Sequence, residues 1–201
     1  EKIRFVGNVM IDSLVQNLVR AKQSDVLSEL GLRPNEFAVL TLHRPSNVDS
    51  RDKLDPLVQA LIEISERLPI IFPVHPRTRA KIEQYDLSHA IDLSGLRLVD
   101  PLGYLDFLEL YSQAKFVMTD SGGLQEETTS LGIPCLTIRE NTERPVTIEI
   151  GTNQLVKDPI SLKRAAFDLL EATTPTSKNI PPLWDGKAAG RICDELLSYG
   201  A

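Results

Sequence analysis

Short apolar runs alternate with longer segments of helical period along almost the whole chain, and this alternation constrains the fold more than any other feature. Residues 38–42, 70–74, 96–99, 116–119 and 135–138 each read as a strand, with 154–156 as a short last one. Between the first two, Leu54, Leu57, Val58, Leu61, Ile64 and Leu68 recur at three- and four-residue spacing, which predicts an amphipathic helix ended by Pro69. Residues 77–84, 104–111, 124–131, 161–172 and 187–199 read as further helices. Strands that are apolar almost throughout, separated by helices, imply a parallel sheet covered on both faces. The fold class is therefore α/β, a doubly wound parallel sheet of Rossmann-like type. Residues 9–30 read as a helical lead-in, and 173–184, rich in Pro, Thr and Ser, as a surface connector.

Composition narrows the function classes. The chain has 201 residues, of which 42% are hydrophobic, enough for an ordinary buried core and too many for a disordered chain. Lys plus Arg number 22 against 28 Asp plus Glu, a formal charge of −6, which argues against nucleic acid or an anionic membrane as the main partner. The longest apolar runs, such as 68–74, fall far short of the roughly 20 residues a membrane span needs. No charged stretch followed by an apolar one reads as a secretory signal. Cys135 and Cys193 lie far apart with no metal or redox spacing; they read as two reduced structural thiols of a cytoplasmic protein, Cys135 buried in its strand.

In an open parallel sheet, ligands bind beyond the carboxyl ends of the strands. Five segments at those ends are unusual. Thr119-Asp120-Ser121-Gly122-Gly123-Leu124-Gln125-Glu126-Glu127 joins a strand to a helix. Ser121 can cap that helix, Gly122 and Gly123 let a ligand approach the backbone, and the free N–H groups of the helix start favour a phosphate or diphosphate. Glu127, one turn further in, suits a diol such as the ribose hydroxyls. Together these suggest a nucleotide diphosphate, in a motif that is neither G-x-G-x-x-G nor a P-loop. His43 and Arg44 end the first strand, where the imidazole can act as a general acid or donate to a phosphate oxygen. Pro73-Val74-His75-Pro76-Arg77 repeats a His/Arg pair at the next strand end, with Pro76 opening a helix. An apolar loop at 100–107 offers Phe107 as the wall of a slot for a planar base, with the Leu102 backbone able to read its edge. Arg139-Glu140-Asn141-Thr142-Glu143-Arg144-Pro145 is the fifth, with Arg144 a candidate contact to phosphate. His89 sits alone in a polar stretch and reads as surface. No cluster has metal-ligand spacing, and no G-x-S-x-G elbow appears.

Taken together, Gly7-Asn8, Thr41-x-His43-Arg44, Pro73-Val74-His75, Asp120-Ser121-Gly122-Gly123-x-Gln125-Glu126-Glu127, Arg139-x-x-Thr142-Glu143-Arg144-Pro145 and Gly151-x-Asn153 resemble the carboxyl-terminal half of the non-hydrolysing UDP-N-acetylglucosamine 2-epimerases. The resemblance covers about residues 7–192. It implies a GT-B arrangement of two Rossmann-type domains. Residues 1–30 would be the interdomain crossover and lead-in helix, and residues 31–201 the UDP-binding domain. An amino-terminal domain carrying the carboxylate bases would lie outside this chain. It further implies that Leu102 and Phe107 contact the uracil, that Ser121, Gly122 and Gly123 bind the diphosphate, that Glu127 takes the ribose hydroxyls, and that Arg144 and His43 reach the phosphate and sugar side, His43 as the catalytic residue.

The implied reaction interconverts UDP-GlcNAc and UDP-ManNAc by loss and re-addition of UDP through 2-acetamidoglucal, with no redox cofactor or metal, in a cytoplasmic homodimer that feeds polysaccharide synthesis. The isolated chain is expected to bind UDP without epimerising. Two alternatives share the same turn and glutamate: the nucleotide-sugar half of a GT-B glycosyltransferase, and a hydrolysing UDP-GlcNAc 2-epimerase. Many bacterial members carry Arg-Glu-Asn or a similar triplet after His-Arg. This chain has Pro45-Ser46-Asn47 there, so the resemblance does not carry allosteric regulation by UDP-GlcNAc over to it.

Overall fold

The computed structural model describes residues 3–172 and 179–199, Tyr199 by its backbone alone. The elements run α1 (Val9–Ala21), α2 (Val26–Leu30), β1 (Ala38–Thr41), α3 (Pro45–Val48), α4 (Arg51–Ser65), β2 (Ile70–Pro73), α5 (Pro76–Gln84), α6 (Ser88–Asp92), β3 (Leu96–Val99), α7 (Tyr104–Ser112), β4 (Phe116–Thr119), α8 (Gly122–Leu131), β5 (Cys135–Ile138), α9 (Val146–Glu149), β6 (Asn153–Val156), α10 (Pro159–Glu171) and α11 (Ala188–Tyr199). All six expected strands form and pair in parallel, in the order β3-β2-β1-β4-β5-β6. Ala38 lies level with Ile70 on one side and Phe116 on the other.

Alternation along the strands divides the core. Ala38, Leu40, Phe116 and Met118 face one buried cluster, completed by Leu57, Leu61 and Ile64 of α4 and Leu162 and Ala166 of α10. Val39, Ile71 and Val117 face the other, completed by Ile11 and Leu14 of α1, Leu108 and Tyr111 of α7 and Leu124 of α8. The lead-in thus packs onto the sheet, and it forms two helices: α1 turns at Lys22 and α2 ends at Gly31, which takes the left-handed conformation a glycine adopts without strain.

The expected helix before Pro69 stops at Ser65. Gly95 passes so close there that a Cβ on it would lie 2.5 Å from the Ser65 carbonyl oxygen, and the chain turns through Glu66–Leu68 instead. Of the expected connector, residues 173–178 lie outside the described residues. Its end corrects the surface assignment: Trp184 is buried in the second cluster, beneath α1. Asp12 of α1, itself buried, accepts the backbone N–H groups of Ala188 and Ala189 at 3.0 and 2.7 Å and so caps α11. Cys135 is buried and pushed up to about 11 by desolvation, whereas Cys193 is exposed; both are free thiols.

Candidate functional site

The sheet changes winding direction between β1 and β4, so the loops leaving these strands diverge and open a crevice at their carboxyl ends. Thr41 and Thr119, neighbours in register, share a 2.6 Å hydroxyl–hydroxyl hydrogen bond at its floor. Asp120, with no exposed surface, organises one wall. Its carboxylate accepts the backbone N–H groups of His43 (3.1 Å) and Arg44 (2.8 Å) and the Asn47 side-chain amide (3.1 Å). His43 Nδ1 lies 3.0 Å from Asp120 Oδ1, which leaves Nε2 free toward the crevice. That hydrogen bond raises His43 above its ordinary value of 6.5, against the effect of burial. Burial pushes Asp120 up, but the His43 and backbone hydrogen bonds outweigh it and hold the carboxyl below the usual range. The pair therefore favours an imidazolium beside a carboxylate. Asn47, last of the triplet that departs from the family pattern, also donates to the Ile138 carbonyl at 3.1 Å and ties the β1 and β5 loops together.

α8 starts at the crevice with Ser121 as its N-cap residue. The expected side-chain cap is not made. The Ser121 backbone N–H donates to Thr119 Oγ1 at 2.9 Å, and its hydroxyl is left for a ligand. The first N–H groups of a helix have no intrahelical acceptor, and α8 has no acidic residue in its first turn, so its positive end is uncompensated. A Cβ on Gly122 would meet nothing within 4 Å; one on Gly123 would meet Met10 Cε at 3.1 Å.

A cavity of about 370 Å³ fills the crevice. Of the eight residues singled out from sequence, His43, Leu102, Phe107, Ser121, Gly123 and Glu127 line it; Gly122 and Arg144 do not. Leu102, Phe107, Pro73 and Pro101 give it apolar walls, and His75 joins His43 at its rim. His75 also caps α5, its Nδ1 accepting the Arg77 N–H at 3.2 Å ahead of Pro76 in the first turn. Glu127 is held by two phenols: Tyr111 donates to Oε2 at 2.8 Å and Tyr104 to Oε1 at 3.3 Å. Burial raises the Glu127 carboxyl above its ordinary value; the phenols oppose this and the nearby Glu126 charge adds to it.

Arg144 stands outside the cavity lining, beside Glu126 of α8. Its Nε is 3.1 Å from Glu126 Oε1, out of line for a hydrogen bond, and Asn8 Nδ2 donates to the same oxygen at 2.9 Å. The Arg139–Glu143 pair is bidentate at 2.7 and 2.8 Å, so this loop is partly the mutually paired arrangement its composition allows. Gln125 anchors it to α8, its Oε1 accepting Thr142 Oγ1 (2.6 Å) and Asn153 Nδ2 (3.1 Å). His89 is exposed, as expected. Among the described residues no group of His, Cys, Asp and Glu is placed to hold a metal ion.

Sequence reasoning missed Asp120 as the partner of His43, Tyr104 and Tyr111 as the partners of Glu127, and Met10 in the wall. The tyrosines had a signal: 104, 107 and 111 fall on one helical face.

A family model described as UDP-N-acetylglucosamine 2-epimerase matches residues 1–197. The UDP-N-acetylglucosamine 2-epimerase of Methanocaldococcus jannaschii is 37% identical over 99% of this chain and 55% of its own length. That of Methanococcus maripaludis is 39% identical over 98% of this chain and 55% of its own. The crystal structure of the Methanocaldococcus jannaschii UDP-GlcNAc 2-epimerase in complex with UDP-GlcNAc and UDP superposes with a TM-score of 0.82 at 35% identity, covering 96% of this chain and 55% of that one. The chain thus spans about half the length of the curated relatives it matches.

Proposed function

The chain belongs to the UDP-N-acetylglucosamine 2-epimerase family, and from that premise we propose that it is the carboxyl-terminal, UDP-binding half of a GT-B enzyme that interconverts UDP-GlcNAc and UDP-ManNAc. The observation that carries this is the cavity at the β1/β4 switch point, where an apolar slot, a carboxylate and a helix start with no acidic residue in its first turn come together. The uracil would lie against Phe107 and Leu102, the ribose diol on Glu127, and the diphosphate on Ser121 and the Gly122 and Gly123 N–H groups. Residues before Val9 would form the crossover from the other domain, which would bring the base that works at C2.

In this reaction the C1–O bond breaks, its electron pair leaves with UDP, and the C2 proton passes to a base, giving 2-acetamidoglucal. UDP then adds back to C1 as a proton reaches the opposite face of C2. Negative charge grows on the diphosphate as it leaves, and preorganised donors stabilise it where it appears. Imidazolium His43, oriented by Asp120, and the α8 N-terminus supply those donors; Arg144 joins them by swinging from Glu126. The homodimeric, cytoplasmic setting belongs to the same proposal, and reduced Cys135 and Cys193 accord with it.

The test is proton NMR of the full-length protein with UDP-GlcNAc in D2O. The expected result is both epimers of the nucleotide sugar with deuterium at C2. Free ManNAc plus UDP would mark a hydrolysing enzyme, transfer to an acceptor a glycosyltransferase, and either would overturn the proposal. This chain alone is expected to bind UDP without turnover.

A further inference from the structure

Tyr111 has no exposed surface, and its phenol finds one acceptor, Glu127 Oε2 at 2.8 Å. Its ring meets that of Phe107 edge-on, with centroids 5.2 Å apart at 61°. Tyr104, Phe107 and Tyr111 occupy positions i, i+3 and i+7 of α7, one stripe of the helix facing α8, where Glu127 stands. The side chain that walls the base slot and the side chain that would receive the ribose are therefore joined through one buried phenol. A carboxylate oxygen accepts two hydrogen bonds. Tyr111 occupies one site on Oε2 and, by geometry, fixes the direction of the other. Tyr104 does the same for Oε1 more loosely, at 3.3 Å and half-exposed. Burial and the Glu127 charge hold Tyr104 up to about 12 and raise Tyr111 as well, so both remain donors at neutral pH.

We propose that Tyr111 is a positioning residue that aims the free lone pairs of Glu127 into the cavity, and that this brace makes the pocket select ribonucleotides over deoxyribonucleotides. The inference rests on the UDP-binding reading above. Without the brace the carboxylate rotates among its rotamers, and orienting it must be met from the binding energy of the diol. A nucleotide lacking the 2′-hydroxyl draws less on that orientation and loses less when the brace goes.

The experiment is calorimetric titration of this chain and of Tyr111→Phe with UDP and with 2′-deoxy-UDP. The ring and its contact with Phe107 remain in the variant. Wild type is expected to prefer UDP. Tyr111→Phe is expected to weaken UDP about five- to ten-fold, the scale of one ordinary net hydrogen bond, while changing 2′-deoxy-UDP less than two-fold. Tyr104→Phe, at a half-exposed position that tolerates the change, is expected to shift the same ratio in the same direction by a smaller factor. An equal loss for both nucleotides in either variant, or an unchanged ratio in both, overturns the brace. A folded wild type that binds neither nucleotide overturns the UDP-binding reading instead.

Discussion

Asp120 is fully buried and Glu127 partly so, and their surroundings push them in opposite directions: hydrogen bonds hold Asp120 low, while desolvation lifts Glu127. His43, raised by its hydrogen bond to Asp120, contributes stability that is fully present below the ordinary histidine value and is lost as pH rises through the raised folded value. An NMR titration of the His43 ring should accordingly give a midpoint above 6.5 in the native protein, falling in Asp120→Asn; equal midpoints in the two proteins would contradict the pairing. Glu127, also raised, has the same sign. Its folded protein binds more protons than the unfolded chain between the ordinary and the raised value, so stability falls as pH rises through that window and stays reduced at neutral pH. Glu127→Gln should therefore melt higher than wild type at pH 7 while losing UDP affinity, the exchange expected where a partly buried charge serves a ligand. His43 and Glu127 were visible in the sequence because strand ends and helix starts confine where a ligand can sit. Their partners were harder to read: the His43–Asp120 and Tyr111–Glu127 contacts join different elements, and the shared face of Tyr104, Phe107 and Tyr111 does not say which element it meets.

At the scale of elements, α8 is the piece that would turn the sheet into the proposed binding site. Its start carries two glycines that need no unusual backbone, so their reason is space. Gly123→Ala should leave the fold intact, because the methyl meets only the flexible end of Met10, yet it should weaken UDP at least ten-fold by narrowing the cavity; thermal melting and calorimetry separate the two effects. The tie between α1 and α11 is the element-level contact that no local pattern announces. Asp12→Ala removes the carboxylate that caps α11 and leaves two N–H groups without their acceptor, a loss of about 1–3 kcal/mol by urea denaturation. Strands were legible because buried parallel strands are apolar along their length. Three helices of four or five residues, α3, α6 and α9, were not, being shorter than the window over which helical period can be recognised. The connector was misjudged at Trp184 because one large side chain can anchor a stretch that is otherwise polar.

Over the whole molecule, topology does what the net charge cannot. A chain at −6 would repel UDP if charge were spread evenly, but the winding of the sheet gathers an uncompensated helix start and His43 at one end of the crevice. On the proposed reading, recognition of an anion depends on a few oriented N–H groups and not on the charge of the whole chain. The doubly wound fold was readable from the alternation of strands and helices. The position of the site followed from that fold once the strand order was known. The division of labour with the rest of the enzyme rests on the proposal that bases at C2 come from outside this chain. A crystal structure of this chain soaked with UDP tests the central claim most directly. The expected result is a nucleotide in the β1/β4 crevice, its diphosphate on the Gly122 and Gly123 N–H groups, its ribose on Glu127 and its base against Phe107. A nucleotide seated elsewhere on the surface, or an empty crevice at saturating UDP, would contradict it.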